Sequence, residues 1–442
     1  MTDILIQSGQ VVDTANKKLR KADVRIRGEK IVEVAAKLKP AGDEQVIDAT
    51  GLLVSPGLVD IHVHLREPGD EDKETIASGA AAALAGGFTD IACMPNTKPA
   101  LDSESAIEFV YRQAFRAKAA RVWPIGAITK GREGKELAEY AQMTRGGAVA
   151  FSDDGAGVAS AGVMAKALKY VQPLGKTLIQ HCEEPTLAGG AMHAGFQSTR
   201  LGLPGTPALA EELMIRRDLA LVRAIGGRYH VAHISTRGGV EQVRQAKADK
   251  LPVTCEVCPH HLLLTDEAVE GYDPNYKMSP PLRSAEHVAA LLAGLADGTI
   301  DCLVSDHAPH RAEEKDVEFV AAPFGIVSLE CALGLFAKAL VYNVAQAFQP
   351  VTQPGKAVPL LKWPAMLAKM TDGPRAVIGR PLVAVAPDHS ADLTLIDPEL
   401  DWTVDVASFR SKSRNCPYDG WKLTGRAVMT ILEGKIKFEL AR

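Results

Sequence analysis

The feature that most constrains the fold is an alternation of apolar, strand-like runs with helix-like segments between about residues 58 and 306. Eight such runs occur, namely GLVDIHVH, FTDIACMP, RVWPIGAIT, GGAVAFSDD, KTLIQHC, RYHVAHIS, LPVTCEVC and IDCLVSD. Alternating strands and helices predict a parallel sheet with right-handed crossovers. Eight units over this length favour a (β/α)₈ barrel. A doubly wound sheet is the alternative, but no GxGxxG motif follows the first strand.

The two ends of the chain have a different pattern, in which apolar and polar residues alternate. The N-terminal segments are ILIQSGQVVD, DVRIRG and KIVEV, and the C-terminal ones are ADLTLID and AVMTILEGKIKF. A period of two is typical of β-strands. The pattern therefore predicts that both ends pair into one small sheet beside the central unit. Residues 345–359 are rich in Pro, Gln and Gly and predict a surface excursion.

The composition of the chain disfavours several classes of function. The formal net charge of −4 leaves no basic excess for binding nucleic acid. No apolar run approaches the roughly 18 residues that a membrane helix needs, and the first ten residues do not resemble a secretory signal. Seven cysteines stand scattered in apolar runs, as expected of reduced thiols. We expect a cytoplasmic enzyme or scaffold that binds neither nucleic acid nor membranes.

Residues that can bind a metal stand at the ends of the predicted strands. His62 and His64 end the first strand, and alternation places both imidazoles on one face. Further candidates end the later strands: Asp153, Asp154, His181, His233 and Asp306. A barrel brings these ends together at its catalytic face. Imidazoles with carboxylates suit zinc and also manganese or cobalt.

The number of candidate ligands exceeds what one tetrahedral zinc ion uses, which favours two metal ions. A carboxylate, from Asp153 or Asp154, and a hydroxide are the natural bridges. Water bound to such a metal has its pKa lowered to about 7 and becomes a nucleophile. Asp306 could take the proton and deliver it to a leaving nitrogen. The constellation therefore predicts metal-assisted hydrolysis.

Nine motifs resemble those of dihydroorotases of the amidohydrolase superfamily, of the bacterial free-standing type. They are HVHLREPG, CMPNTKP, AFSDDG, QHCEE, HISTRGG, CPHHLLLTD, KMSPPLR, VSDHAPH and APFGIVSLE, and the resemblance extends from about residue 4 to the C-terminal region. It implies a (β/α)₈ barrel at 55–375 and a small β-sandwich domain formed by 1–54 and 376–442. It also implies reversible hydrolysis of dihydroorotate to N-carbamoyl-L-aspartate in pyrimidine synthesis.

The resemblance implies two zinc ions per chain, bridged by Asp154 and a hydroxide. It assigns His62 and His64 to the first zinc ion, and His181 and His233 to the second. Asp306 would bind the first zinc ion and shuttle the proton. Many relatives bridge with a carboxylated lysine on the fourth strand, but GGAVAFSDD contains no lysine. Strand alternation places Asp153 on the opposite face, in a turn or in a role that supports the ligands.

The same resemblance implies the substrate contacts. Arg66 would bind the substrate carboxylate, since a guanidinium matches a carboxylate through two hydrogen bonds. The further contacts are His64, Asn96, Ser279, His310 and the backbone of Phe324 and Gly325. Ser279 departs from the family pattern, which has asparagine there, and serine lacks the reach of an amide.

Three alternatives stay open. The first is another cyclic-amide hydrolase, such as a hydantoinase or allantoinase. The second is a catalytically silent scaffold for aspartate carbamoyltransferase, although no metal ligand is missing; an active enzyme could also associate with that partner or form a homodimer. The third is a structural zinc ion at CEVCPHH, which is disfavoured because Cys255 and Cys258 would face opposite ways in a strand.

Overall fold

The structure, a computed structural model, describes residues 3–342 and 359–441. The predicted surface excursion at 345–359 lies outside the described residues except for its last residue. The strands are β1 (Ile4–Asp13), β2 (Lys18–Arg27), β3 (Lys30–Ala35), β4 (Gln45–Asp48), β5 (Leu53–Pro56), β6 (Leu58–Val63), β7 (Phe88–Cys93), β8 (Arg121–Pro124), β9 (Gly126–Ala127), β10 (Phe151–Ser152), β11 (Thr177–Gln180), β12 (Met192–His193), β13 (Gly205–Thr206), β14 (Arg228–Val231), β15 (Val253–Val257), β16 (Cys302–Leu303), β17 (Leu393–Thr403), β18 (Lys422–Leu432) and β19 (Lys435–Glu439).

Helices follow most of the central strands. They are α1 (Ile76–Ala85), α2 (Glu104–Ala117), α3 (Tyr140–Gly146), α4 (Ala161–Val171), α5 (Phe196–Leu201), α6 (Leu209–Ile225), α7 (Arg237–Ala248), α8 (Pro259–Leu263), α9 (Ala285–Ala296), α10 (Ala312–Lys315), α11 (Ala332–Phe336), α12 (Trp363–Ala368) and α13 (Asp372–Val377). Several begin at a side-chain cap: the hydroxyls of Thr75, Ser103, Ser160 and Thr236 each accept a backbone N–H of the first turn. None of the described helices is long and apolar enough to cross a membrane.

All eight predicted central strands are present and pair in parallel. One sheet has the order β6-β7-β8 and the other β16-β15-β14-β11-β10-β9. Only Ile125 separates β8 from β9, and its N–H donates to the carbonyl of Cys93 at 3.0 Å. An isolated parallel bridge also joins Val63, at the end of β6, to His307, just beyond β16. The prediction of a parallel, alternating α/β unit is therefore confirmed.

The main hydrophobic core lies between these strands and their helices. A second apolar cluster joins strand residues such as Val59, Ile179 and Cys302, all fully buried. Neighbouring residues of one strand, such as Leu58 and Val59, belong to different clusters, because successive side chains of a strand point to opposite faces. Side chains near the strand ends are therefore held by packing on both faces.

Both ends of the chain meet in one further sheet, as predicted. Its order is β19-β18-β17-β5-β1-β2-β3, with β4 also paired to β1. This sheet has its own apolar cluster, which includes Ile6, Val24 and Leu393. A sandwich arrangement of these strands stays a prediction.

A single glycine joins the terminal sheet to the central strands. Gly57 stands between β5 and β6, and a Cβ atom at this position would lie 2.2 Å from the Thr89 hydroxyl oxygen. Thr89 lies in β7, and only glycine allows the link between β5 and β6 to approach β7 this closely. The link fixes where β6, which carries the first predicted metal ligands, begins.

Candidate metal centre and active site

The six predicted metal ligands lie together at the C-terminal ends of the central strands. His62 lies within β6 and His64 just past it, while the other four follow β10, β11, β14 and β16: Asp154, His181, His233 and Asp306. Each of the six is at least 96% buried. Residues that are up to 244 positions apart in the sequence therefore form one compact polar cluster.

Asp154 occupies the middle of this cluster. Its Oδ1 atom lies 3.4 Å from His62 Nε2, 3.5 Å from His233 Nε2 and 3.8 Å from His181 Nδ1. Its Oδ2 atom lies 3.5 Å from His64 Nε2. One carboxylate thus faces all four imidazoles, which is the placement that a bridging ligand needs.

Asp306 lies on one side of the cluster. Its Oδ1 atom is 3.0 Å from His64 Nε2 and 3.5 Å from His62 Nε2. Two sets of donor atoms have all members within 4.8 Å of one another: His62, His64 and Asp306 in one, and His62, Asp154 and His233 in the other. His181 adjoins the second set, since its Nδ1 is 2.9 Å from His233 Nε2. The cluster thus divides into two overlapping halves.

The donors fit a bound metal. His62 Nε2 and Asp154 Oδ1 are buried and face each other, yet neither has a hydrogen-bond partner among the described residues. Buried polar atoms in this state are costly unless a cation lies between them. Burial lowers the pKa of His62, but the charges of Asp306 and Asp154 outweigh it and raise the pKa well above its ordinary value. The same negative field would attract a metal ion.

Glu256, on β15, orients the histidines, and the sequence analysis missed it. Its carboxylate accepts from His62 Nδ1 at 2.5 Å, from His230 Nε2 at 3.0 Å and from the His233 backbone N–H at 3.3 Å. Burial raises the pKa of Glu256, but the charge of His62 and the His230 hydrogen bond lower it to about 2. With Nδ1 of His62 engaged, Nε2 keeps its lone pair for a metal. A charged residue inside the apolar run VTCEV was the signal available.

Asp153 lies outside the cluster, on the face opposite Asp154. Its Oδ1 atom accepts the backbone N–H groups of Ile128 and Thr129 at 2.8 and 3.1 Å, and its other oxygen accepts the Thr129 hydroxyl. This carboxylate therefore ties the turn after β10 to the loop after β9. The turn role expected from strand alternation agrees with this placement.

Arg132 is a second residue that the sequence analysis missed. Its guanidinium donates to the backbone carbonyl of Asp154. Its Nε atom is buried without a partner in the described part of the chain. Arg132 thus holds the main chain of the central carboxylate. Nothing in the sequence of the loop that carries it indicated this contact.

The predicted substrate-binding side chains line a cavity of about 370 Å³ beside the metal ligands. Its walls include His64, Arg66, Asn96, Ser279, His310 and Phe324. Asn96 Oδ1 accepts from His64 Nδ1 at 2.8 Å, which again leaves His64 Nε2 facing the carboxylates. The cavity and the metal cluster therefore share His64.

Arg66 and His310 form one wall of this cavity. Arg66 takes a left-handed backbone conformation (φ 61°), and its Nε–H donates to the Pro309 carbonyl at 3.1 Å. His310 Nε2–H donates to the Phe324 carbonyl at 2.8 Å. Burial and the adjacent Arg66 charge lower the pKa of His310 to about 3. The guanidinium is thus the positive group of this wall.

Gly325 lies behind that wall. Its N–H donates to the Lys277 carbonyl at 2.9 Å, and its carbonyl accepts from the Asn415 side chain at 3.0 Å. Both of its backbone groups are bonded within the protein. Its φ of 152° lies in the region that favours glycine, and a Cβ would lie 2.6 Å from the Ala308 carbonyl. Gly325 therefore allows the wall to pack closely.

Comparisons with known proteins identify the family. Residues 51–239 match the family described as "Dihydro-orotase-like". The dihydroorotase of Pelotomaculum thermopropionicum is 50% identical over 434 residues, which is 98% of each chain, and that of Anaeromyxobacter dehalogenans is 47% identical over 99% of each.

Solved structures with the same fold belong to related enzymes. The L-hydantoinase (dihydropyrimidinase) from Arthrobacter aurescens superimposes with a TM-score of 0.86 at 26% identity, covering 100% of this chain and 98% of its own. A D-hydantoinase from Thermus sp. gives 0.81 at 24% identity, covering 99% and 97%. The likeness to the solved structures establishes the amidohydrolase type of fold. The identity of 50% and 47% to the two dihydroorotases extends over nearly the full length of each chain. The chain therefore belongs to the dihydroorotase family.

Proposed function

We propose that this protein is a dihydroorotase, which reversibly hydrolyses the cyclic amide of (S)-dihydroorotate to N-carbamoyl-L-aspartate in pyrimidine synthesis. One observation carries the proposal: Arg66 lies on the wall of the same cavity as five of the six predicted metal ligands, namely His64, Asp154, His181, His233 and Asp306. Such a cavity offers a cation for a substrate carboxylate beside a hydrolytic centre. The relatives named dihydroorotase, which are similar over nearly the whole chain, support this choice of substrate.

The proposal includes two zinc ions per chain. His62, His64 and Asp306 would hold one ion, His181 and His233 the other, and Asp154 would bridge them. When bound, such a pair polarises the amide carbonyl and lowers the pKa of a water molecule that serves as the nucleophile. The unpartnered Nε2 of His62 and Oδ1 of Asp154 are the observation that favours metal binding.

Side chains of the cavity would bind the substrate and transfer the proton. Arg66 would bind the substrate carboxylate through two parallel hydrogen bonds, which orients the ring. Asn96 and His310 would complete the polar wall, with Ser279 and the backbone of Phe324 at its edge and Gly325 directly behind it. Asp306 would accept the proton of the attacking water and hand it to the ring nitrogen as the amide bond breaks.

We further propose that the eight central strands close into a barrel at 55–375, with 1–54 and 376–442 as a small β-sandwich domain. The parallel bridge between Val63 and His307 favours closure, because it joins the first strand to the chain just past the last. Two hydrogen bonds to one carboxylate support it: Asp60 accepts the backbone N–H groups of His62 and Ser305 at 3.0 and 2.9 Å. Light scattering of the purified protein, alone and mixed with aspartate carbamoyltransferase, would distinguish a homodimer from an assembly with that partner.

A second candidate function is hydrolysis of another cyclic amide. The fold shared with hydantoinases favours it. Arg66 argues against it, because a hydantoin without a carboxylate gives this guanidinium no partner.

The test is ring-opening by the purified, zinc-loaded protein. Dihydroorotate, 5-substituted hydantoins and allantoin would be offered separately, together with the variants Asp306→Asn and, as a control at a surface ion pair, Asp297→Asn. We expect turnover of dihydroorotate, lost by about 10²- to 10⁴-fold in Asp306→Asn only, as general acid–base catalysis predicts. Turnover of hydantoins alone would favour the second candidate, and no turnover at all would favour a scaffold.

A further inference from the structure

A second group of metal-binding residues follows β15. Cys258, His260 and His261 have donor atoms that all lie within 4.8 Å of one another, and each side chain is at least 99% buried. Strand β15 ends at Val257 and helix α8 begins at Pro259, so the chain turns between the cysteine and the histidines. None of the three belongs to the candidate metal centre described above.

This group differs from the one considered in the sequence. Cys255 and Cys258 belong to different apolar clusters, which agrees with the expectation that they face opposite ways. The group excludes Cys255 and takes both of its nitrogen ligands from the helical turn. Strand alternation disfavours a metal ion shared by Cys255 and Cys258, but it does not exclude one held by Cys258 and the two histidines.

The two imidazoles have unused donor and acceptor atoms. His261 Nε2–H donates to the Pro280 carbonyl at 3.0 Å, so its Nδ1 holds a lone pair, and that atom has no partner among the described residues. Both ring nitrogens of His260 are also buried and unpartnered in the part of the chain that the structure describes. A buried neutral imidazole has one N–H and one lone pair, and leaving both unsatisfied is costly. A bound metal would use the lone pairs.

The distances are close to those of a metal site. Three atoms at most 4.8 Å apart lie within about 2.8 Å of a common centre, against zinc–sulfur and zinc–nitrogen bonds of about 2.3 and 2.0 Å. Shifts of about 0.5 Å for the sulfur and about 0.8 Å for each nitrogen would therefore complete the three bonds. Side-chain rotations of this size need no rearrangement of the backbone.

The local charge also suits a cation. Burial lowers the pKa of His261 to about 3 and that of His260 well below its ordinary value, so both rings are neutral and able to bind a metal. Burial and the charges of Asp306 and Glu256 raise the pKa of the Cys258 thiol. The thiol is therefore protonated without a metal, and the nearby carboxylates favour a positive ion.

We propose that Cys258, His260 and His261 bind a divalent metal ion of the zinc class, separate from the ions of the candidate metal centre. Binding breaks the S–H bond of Cys258, forms a metal–sulfur bond and releases the proton to solvent. A thiolate with two imidazoles is a donor set that selects zinc over the harder ions. The proposal does not depend on the substrate of the enzyme.

Cobalt(II) provides the test, because a thiolate ligand gives it a sulfur-to-metal charge-transfer absorption band that nitrogen and oxygen ligands do not. The ligands proposed for the other centre contain no sulfur. The full-length protein would be stripped of metal, reloaded with Co²⁺ and scanned in the near ultraviolet, alongside Cys258→Ser and Cys302→Ser. Cys302 is a matched control, since it is fully buried in the same apolar cluster as Cys258.

We expect the band in the wild-type protein and in Cys302→Ser, and its loss in Cys258→Ser together with about one metal ion per chain. Absence of the band from the wild-type protein would overturn the proposal, and so would its persistence in Cys258→Ser. Should Cys258→Ser fail to fold, X-ray absorption of the zinc-loaded wild-type protein decides. Because one of three zinc ions per chain would carry the thiolate, an average of about one third of a sulfur neighbour per zinc ion supports the site, and an environment of nitrogen and oxygen alone refutes it.

Discussion

Replacing Glu256 by glutamine should weaken metal binding without removing any metal ligand. The Glu256 carboxylate accepts hydrogen bonds from both His62 Nδ1 and His230 Nε2. Glutamine offers one carbonyl oxygen and one NH₂ group, so one of the two imidazoles loses its acceptor and faces a second donor. His62 is then less firmly held with Nε2 towards the metal.

The size of the effect follows from the lost contact. A hydrogen bond to a charged group contributes about 1.5–3 kcal/mol, which corresponds to a change of roughly 10- to 150-fold in an equilibrium constant. Residues that hold metal-binding histidines typically change metal affinity or activity by about 10- to 100-fold. We therefore expect zinc affinity of Glu256→Gln to fall by about 10- to 100-fold, with activity restored by excess zinc.

The assay is equilibrium dialysis of the purified protein against zinc buffered by a chelator, with bound zinc measured by mass spectrometry. Glu136→Gln is the matched control, because Glu136 lies on the surface and its carboxylate forms an ion pair with Lys130. Circular dichroism would establish that both variants are folded. A folded Glu256→Gln protein whose zinc affinity stays within about twofold of wild type would refute the role of Glu256, since even the weaker bound above predicts tenfold.

Three further predictions concern the substrate cavity, the strand link and pH. Arg66→Met should raise KM for dihydroorotate by about 10- to 100-fold in steady-state kinetics, because the substrate carboxylate loses hydrogen bonds of about 1.5–3 kcal/mol; an unchanged KM would contradict this. Gly57→Ala should lower the melting temperature by a few degrees through overpacking against Thr89 of about 1–3 kcal/mol, whereas Gly162→Ala, which meets little, should not. Burial raises the pKa of Glu330 from 4.5 to about 7, so the folded chain binds this proton more tightly, and stability falls as pH rises from about 5 to 7. Glu330→Gln should therefore gain stability relative to wild type between pH 5 and pH 8, by at most about 3 kcal/mol, in urea unfolding; equal pH slopes would exclude the effect.

The sequence predicted the elements that local pattern controls. All eight central strands and the pairing of the two chain ends follow from the period of apolar residues, which each segment carries in itself. The convergence of the metal ligands also followed, since strand ends meet at one face whatever the register. Strand alternation likewise separated Asp154, which faces the imidazoles, from Asp153, which faces the preceding loop.

The contacts between distant segments could not be predicted in this way. The hydrogen bond from His62 to Glu256 depends on how strands distant in sequence are placed across the unit, which no local pattern encodes. The bond from Arg132 to Asp154 depends on the path of an irregular loop. A zinc ion at CEVCPHH was disfavoured because the strand was expected to carry both cysteines, whereas the chain turns into a helix at Pro259, just past Cys258.

The single-residue link at Gly57 sets the order in which the site can form. Strand β6, with the first two histidines, directly continues β5, and residues 53–56 of β5 are paired with residues 393–396 of β17. During synthesis this partner leaves the ribosome only after most of the chain has been made. Strand β5, which β6 directly continues, is therefore among the last strands to gain its full set of neighbours, and a chain truncated before β17 would leave β5 paired on one side only. The C-terminal strands therefore complete the support of the site only after all of its predicted ligands have been synthesised.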